Sequence, residues 1–115
     1  MAKKTEINLF FDDNIAASST DTKLSAIIPT GRKVTLKRFG GCDVAIGDGL
    51  DSIIAIQWGS SGSWQTIRGC SKSFEFEMQR DFEGDGSSRF RLVRINKSSS
   101  AKPILAWVDG IIHDA

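Results

Sequence analysis

Few side chains in this sequence have the types and spacing that catalysis requires. Its single histidine, His113, lies near the C-terminal end beside Asp114. A Ser-His-Asp site would need that histidine held rigidly in a cleft against an activated serine, and the sequence contains no nucleophile-elbow motif. No cysteine or second histidine lies at metal-ligand spacing from it. We therefore predict a solvated His113, no catalytic residues, no metal and no cofactor, in a protein that is not an enzyme.

Two acidic loops resemble calcium-binding loops. The segment Asp81-Phe-Glu-Gly-Asp-Gly places acids at alternate positions before a glycine. However, Leu92 occupies the place of the bidentate glutamate that completes such a loop. The second acidic loop contains Asp43, Asp48 and Asp51. We interpret both loops as β-turns, because Asp and Gly favour tight backbone geometry.

The chain has three tryptophans and no tyrosine. Trp58 and Trp64 flank a Ser/Gly loop, which makes them a candidate sugar-stacking platform, because an aromatic ring offers an apolar face with a polar edge. The structural alternative places Trp58 and Trp107 in the core or in an interface, where large aromatic residues dominate. We favour the structural alternative and keep the glycan platform as the second hypothesis.

Charge is balanced along the chain. Fifteen basic and fourteen acidic residues leave a net charge of +1, which predicts no general attraction to nucleic acid or to an anionic membrane. Basic residues cluster in two regions, at 32–38 and 89–94, with acids nearby at 75–83. Such a mixed surface suits an acidic protein partner, for which charge improves on-rate and register. The predicted partner contacts are Lys3, Lys4, Arg32, Arg38, Arg89 and Arg91.

Length and composition predict one domain, 1–115, with a flexible N-terminal arm at 1–5. The first residues contain no signal-peptide pattern, and no apolar run approaches the roughly 20 residues of a membrane span. We therefore expect no membrane contact, and a reducing compartment in which Cys42 and Cys70 stay as half-buried thiols. The N-terminal arm and the small-residue segment 15–20 are the parts that we expect to order on docking.

Strands supply the elements that must position these residues. From Ser73 to Gln79 apolar and polar residues alternate strictly, which indicates a half-buried β-strand. The segment Arg89–Ile95 alternates too, with Phe90 and Leu92 predicted to face inward and Arg89 and Arg91 outward. The complete set of predicted strands is Glu6–Phe11, Lys23–Ile28, Lys33–Phe39, Ser52–Trp58, Trp64–Arg68, Ser73–Gln79, Arg89–Ile95 and Pro103–Ile112.

About eight short antiparallel strands and no substantial helix indicate an all-β sandwich, and the strand count favours a jelly roll. In a jelly roll, Ser52–Trp58 and Trp64–Arg68 form a hairpin and the first strand pairs with the last. A meander is the alternative. It would pair Ser73–Gln79 with Arg89–Ile95 and place Glu77 opposite Arg91.

Three segments resemble a known class of protein: Pro29-Thr-Gly-Arg-Lys-Val-Thr-Leu-Lys-Arg-Phe-Gly-Gly-Cys-Asp-Val, Ile54-Ala-Ile-Gln-Trp, and Leu105-Ala-Trp-Val-Asp-Gly-Ile-Ile. Their layout, from about Lys23 to Ile112, resembles small jelly-roll virion proteins of the phage capsid decoration (cement) type. The resemblance implies a non-enzymatic protein that binds between major capsid subunits in many copies and reinforces the shell. It also implies dimers or trimers and a location on the capsid surface after synthesis in the host cytoplasm. It supplies no site residue.

A carbohydrate-binding or receptor-binding module that uses Trp58 and Trp64 is the alternative function. The two hypotheses differ in one cheap observable. A glycan platform predicts tryptophan fluorescence that shifts with sugar, whereas a cement protein predicts saturable binding to empty shells.

Overall fold

The computed structural model describes residues 5–43, 52–70 and 74–114, and within these ranges every regular element is a β-strand. The sequence favours strands because its apolar residues alternate, turn residues separate the segments, and no segment has a helical period. The all-β prediction is confirmed. The nine strands are β1 (Thr5–Phe11), β2 (Asn14–Ile15), β3 (Ser19–Leu24), β4 (Arg32–Asp43), β5 (Ser52–Ser60), β6 (Ser63–Cys70), β7 (Phe74–Glu83), β8 (Arg89–Asn96) and β9 (Lys102–Asp114).

The strands form two antiparallel sheets. One has the order β1-β9-β4-β7, with the short β2 paired to the start of β9, and the other has the order β3-β8-β5-β6. Apart from β2, the first strand pairs with the last, the second with the last but one, and so on inward to the β5–β6 hairpin. Two nested Greek keys of this kind define a jelly roll, so the predicted topology is confirmed.

The meander alternative is wrong, because β7 and β8 lie in opposite sheets. β7 pairs with β4, and β8 pairs with β3 and β5. Glu77 therefore faces Arg38 of β4 and not Arg91. Phe82 and Phe90 meet across the core, with ring centroids 5.2 Å apart.

Half way along β4, the core-facing positions change from even-numbered to odd-numbered residues. Val34 and Leu36 point into the core, as predicted, and then Phe39 does so, because the pairing register shifts between Leu36 and Arg38 against both neighbouring strands. Opposite this β-bulge, Gln79 of β7 has a φ of 43°. A bulge bends a strand and re-aims its side chains. The strand continues beyond the bulge through Gly40 and Gly41.

Gly40 leaves room for an aromatic side chain. An added Cβ there would lie 2.5 Å from Cε2 and Cζ2 of Trp107. The indole of Trp107 therefore lies across the bare backbone of β4, in space that a side chain would otherwise fill.

The second strand lies earlier than predicted. β3 spans Ser19–Leu24, whereas the prediction was Lys23–Ile28. Ser25 ends the regular ladder: its N–H donates to the Phe90 carbonyl at 2.9 Å, and its hydroxyl accepts from the Phe90 N–H at 2.9 Å. The small-residue segment 15–20 holds Ile15 of β2 and the start of β3. Thr5, which was assigned to the arm, is the first residue of β1.

Cationic side chains cover the two open sides of the sandwich. At the β1/β3 side, Lys23 Nζ lies 5.2 Å from the ring centroid of Phe10 and 5.0 Å from that of Phe11. At the β6/β7 side, the Arg68 guanidinium lies 3.8 Å from the centroid of Phe76. Such cations shield the ring faces from water while their charged ends stay hydrated.

Arg94 is the largest fully buried side chain among the described residues, with 1% of its surface exposed. It was predicted to belong to the basic region at 89–94 of a mixed charged surface. That was wrong, because Phe90, Leu92 and Arg94 alternate along β8 and therefore point to the same, inner face. Its Nη2 atom lies 2.7 Å from Oδ1 of Asp13 and 2.8 Å from Oδ2 of Asp21.

The remaining donors of Arg94 are also satisfied. Nη1 donates to the backbone carbonyls of Asp13 and Ile104, each at 2.8 Å, and the guanidinium lies 4.2 Å from the ring centroid of Phe11. Five N–H donors in a rigid fork make arginine the side chain suited to several acceptors at once. One residue of β8 thus joins the β1–β2 turn, β3 and β9.

The turn between β7 and β8 contains the first acidic loop. The Asp85 carboxylate accepts hydrogen bonds from the Ser87 N–H at 2.9 Å, the Ser88 N–H at 2.7 Å and the Ser88 hydroxyl at 2.8 Å. These bonds favour the ionised form, so the N–H of Ser87 first and that of Ser88 second lower the pKa of Asp85 below its ordinary value. The carboxylate therefore closes a turn, as interpreted from the sequence.

We predict that Arg94→Met lowers the free energy of unfolding by about 3 kcal/mol, because two carbonyls and two carboxylates lose a shared donor. Urea denaturation measures the loss. The matched control is Arg38→Met, because the Arg38 side chain is 56% exposed and its ion pair with Asp109 spans 3.7 Å; it should cost less than about 1 kcal/mol. Equal costs for the two variants would contradict a structural role for Arg94.

For Asp85 we predict a carboxyl pKa below the ordinary aspartate value, measured by carbon-detected NMR titration. A lowered native pKa means that the stabilisation is complete above the unfolded-state pKa, about 3.9, and is lost as the pH falls through the native value. Ser88→Ala removes one hydroxyl donor and should move the pKa of Asp85 upward. A titration at the ordinary value in the unmodified protein would show that the turn does not hold the charge.

Candidate functional site

The outer face of the β3-β8-β5-β6 sheet carries an apolar region at one end. Ile53 pairs with Ile95 and Ala55 pairs with Val93 across β5 and β8. Ala55 and Val93 are buried by their neighbours, and the two isoleucines are half-buried. We name these four residues the β5/β8 apolar face. The residues that flank it on β3 and β6 are uncharged: Thr20, Thr22 and Gly69.

The other end of the same outer surface is polar and basic. Arg91 Nε donates to Oε1 of Gln57 at 2.7 Å, and its guanidinium lies 4.3 Å from the ring centroid of Trp64. Arg89 lies opposite Gly59 in the next register position. Leu24, opposite Arg91 on the edge strand, is among the exposed large hydrophobic residues. The apolar face is thus bordered by arginines along β8.

The opposite outer surface, on the β1-β9-β4-β7 sheet, contains a groove of about 290 Å³. We name it the β9 groove; its lining residues are Glu6, Asn8, Lys37, Arg38, Asp109, Gly110 and Ile111. The β4 bulge lies directly beside it, and Lys37, the residue at the bulge, belongs to its wall. A neighbouring depression of about 230 Å³ shares Lys37 and Ile111 and adds Thr35 and His113.

Asp109 is held in a fixed orientation within the groove. In the amide orientation that satisfies both its oxygen and its nitrogen, the Asn8 side-chain nitrogen donates to Asp109 Oδ1 at 2.7 Å. The Arg38 Nη2 lies 3.7 Å from Oδ2 of the same carboxylate. Both partners lie on neighbouring strands in register with Asp109, so the sheet itself places the three groups together.

The sequence predicted a solvated His113 in a C-terminal tail, and the structure contradicts this prediction. His113 lies in β9, half-buried, with Nε2 2.8 Å from the Thr35 hydroxyl. That hydroxyl also lies 2.6 Å from Oδ1 of Asp81. Thr35 therefore links β9 to β7 across β4. The three side chains are tied to one another along the sheet.

The three tryptophans occupy three different surroundings. The Trp58 ring faces inward, with its centroid 4.7 Å from that of Phe90 and 5.1 Å from that of Phe82. Trp64 lies on the outer face of the same sheet, so the two rings do not form the shared platform that the sequence suggested. Trp107 lies on the outer face of the other sheet, and its Nε1 donates to Oε2 of Glu75 at 3.1 Å.

The predicted basic contact residues do not form one patch. Arg32 pairs with Asp114 at the start of β4, with 3.4 Å between Nε and Oδ1. Arg38 belongs to the β9 groove, whereas Arg89 and Arg91 lie on the opposite outer surface. Lys3 and Lys4 lie outside the described residues. Their contacts with a partner stay a prediction.

Within residues 5–43, 52–70 and 74–114, no group of three or more histidine, cysteine, aspartate or glutamate side chains is placed to hold a metal ion. Asp48, Asp51 and the side chains of Asp43 and Cys70 lie outside the described set. Cys42 is half-buried, as predicted. No helix in the described ranges is long and apolar enough to cross a membrane.

Comparison with known proteins identifies the fold. No protein-family model and no curated protein matches the chain. Among solved structures, a chain of an archaeal virus described by its triple jelly-roll fold and turret assembly superposes with a TM-score of 0.57 at 15% identity, covering 96% of this chain and 31% of that one. A chain of Sulfolobus turreted icosahedral virus gives 0.55 at 17% identity, with the same two coverages of 96% and 31%.

A chain of the cyanophage Pam1 capsid asymmetric unit gives a TM-score of 0.52 at 15% identity and covers 99% of this chain and 85% of that one. This protein thus spans less than a third of the two archaeal virus chains but most of the cyanophage chain. At such identities the likeness concerns the fold alone. The chain has the all-β jelly roll that is also found in these virus particles.

Proposed function

We propose that this protein is a non-enzymatic structural component of a phage virion, which binds the outside of the capsid and stabilises the shell by bridging major capsid subunits. The β5/β8 apolar face is the observation that carries the proposal. A solvated outer face of an antiparallel sheet normally carries polar residues in alternation with the apolar inner ones. Here the outer positions at one end are aliphatic on both central strands, which indicates a surface that contacts another protein.

The fold likeness supports the same assignment. A jelly roll makes up the described chain, and the superposition on the cyanophage capsid chain covers 99% of this chain and 85% of that one. A capsid is assembled from such compact domains in many copies. We further propose a location at the capsid surface after synthesis in the host cytoplasm, the major capsid protein as partner, and a dimer or trimer as the protein's own state.

The structure suits rigid docking. Ile53 and Ile95, the half-buried pair of the face, lie on the two central strands of their sheet beside the buried Ala55 and Val93. They are therefore held in place before a partner arrives, and little conformational entropy is lost when they bind. Arg89 and Arg91 border the face and fit an acidic rim on the capsid protein, where charge sets the register and speeds the encounter. Lys3 and Lys4 are proposed as further contacts near the N-terminus.

The alternative assignment, a glycan-binding module built on Trp58 and Trp64, has less support. Trp58 packs against Phe82 and Phe90 in the core, and Trp64 is covered by Arg91. Neither of the two described outer surfaces presents both rings together.

The test is co-sedimentation of the purified protein with empty capsids of the virus that encodes it, preceded by a measurement of its mass in solution. We expect saturable binding at a fixed ratio to the coat protein. A clean monomer or small oligomer that stays in the supernatant at every concentration would refute the capsid proposal.

A matched pair of variants tests which outer surface of the sandwich binds the capsid. Ile95→Glu places a charge on the β5/β8 apolar face and should weaken capsid binding at least about tenfold, because the carboxylate would be desolvated in the interface. Ile111→Glu makes the same change at a half-buried outer position of the opposite sheet and should bind as the unmodified protein does. If Ile111→Glu alone lost binding, the opposite surface would be the docking face.

A further inference from the structure

An aromatic pair lies next to the β9 groove on the same outer surface. Trp107 is two residues from Asp109 along β9, so both side chains leave the sheet on the same face, roughly 6.6 Å apart along the strand. Phe10 of β1 is the cross-strand partner of Trp107 and is 52% exposed, one of the most exposed large hydrophobic residues described. Lys23 Nζ lies 5.2 Å from the centroid of the Phe10 ring, so Trp107 is the ring that is left open for stacking beside the groove.

The position of Trp107 is fixed from two directions. Its indole lies across Gly40, where a Cβ would come within 2.5 Å of the ring, and its Nε1 donates to Glu75 at 3.1 Å. The ring is half-exposed, with one part resting on the backbone of β4 and the remainder open to solvent. A rigid, partly exposed indole costs little entropy when a ligand stacks on it, and its apolar surface is the energetic core of such a contact.

The polar part of the groove is neutral overall and rich in hydrogen-bonding groups. Glu6 and Asp109 carry two negative charges, and Lys37 and Arg38 carry two positive ones. A phosphate or another anion would meet the two carboxylates, and an ammonium group would meet the two cations. A neutral ligand with many hydroxyl groups meets no repulsion, because hydroxyls both donate to carboxylates and accept from lysine and arginine.

We propose that the β9 groove and Trp107 together form a binding site for a neutral oligosaccharide. One sugar ring lies against Trp107 through its apolar C–H face, and the next sits in the groove. There its hydroxyls donate to the carboxylate of Asp109, which Asn8 and Arg38 already hold in place, and accept from Lys37 and Arg38. The site is separate from Trp58 and Trp64 and does not depend on the capsid proposal.

The experiment is an NMR titration of the ¹⁵N-labelled protein with three neutral oligosaccharides, maltohexaose, cellohexaose and chitohexaose, and with inorganic phosphate as the charged probe. The three tryptophans give three indole N–H signals. We expect at least one oligosaccharide to shift the Trp107 indole signal and the amide signals of Asn8, Arg38 and Asp109 saturably. Phosphate should leave them unchanged.

Variants separate this site from non-specific stacking. Asp109→Asn keeps the size of the side chain but removes its charge, and Trp107→Ala removes the ring; each should weaken binding at least about tenfold. Trp64→Ala, on the opposite outer surface, should bind the sugar as the unmodified protein does. The backbone spectrum of each variant away from the groove shows that it is folded.

The proposal is overturned if none of the three oligosaccharides moves the Trp107 signal at millimolar concentration, if phosphate binds in their place, or if Trp64→Ala abolishes binding and Asp109→Asn does not. Capsid co-sedimentation is unaffected by any of these results, so the failure of one proposal is distinguishable from the failure of the other.

Discussion

The buried guanidinium of Arg94 is the constraint on which this sandwich depends most directly. A charge inside a β-sandwich is costly unless its donors are all matched, and here Asp13, Asp21 and the Ile104 carbonyl match them. The two carboxylates stay partly in water, with the side chain of Asp13 72% exposed, so most of the desolvation cost falls on the arginine alone. The next inward residue, Asn96, donates to the carbonyls of residues 15, 16 and 100.

Together these two polar side chains secure the point at which the chain first passes from one sheet to the other. β1 belongs to the sheet of β9, β3 belongs to the sheet of β8, and only a short segment with β2 joins them. Small polar residues in that segment have little apolar surface to bury, so packing alone cannot fix its path. The hydrogen bonds from β8 supply the missing constraint, and both outer surfaces are positioned as a result.

Local alternation was sufficient to predict most strands, because period-two patterns fix which residues are buried. The number of strands then predicted the jelly-roll order with its β5–β6 hairpin. The prediction failed where the polarity of a residue suggests one face of the strand and its position along the strand puts it on the other. Ser19–Leu24 was missed because an edge strand of threonine, aspartate and lysine has no apolar period, and Arg94 was misplaced because its charge outweighed its parity with Phe90 and Leu92. The bulge at Lys37, and hence the β9 groove, arises from pairing between distant strands and leaves no local signal.

The same reasoning explains why Trp58 and Trp64 do not form the shared platform of the second hypothesis, and what the two outer surfaces imply together. Trp58 and Trp64 are close in sequence, but across a hairpin an offset of one residue puts two side chains on opposite faces, whereas Trp107 and Asp109, two apart on one strand, share a face. The β5/β8 apolar face and the β9 groove lie on opposite sides of one sandwich. A copy that docks through the first therefore directs the second away from its partner, so the proposed capsid attachment and the proposed oligosaccharide binding are compatible in one molecule without any change of conformation.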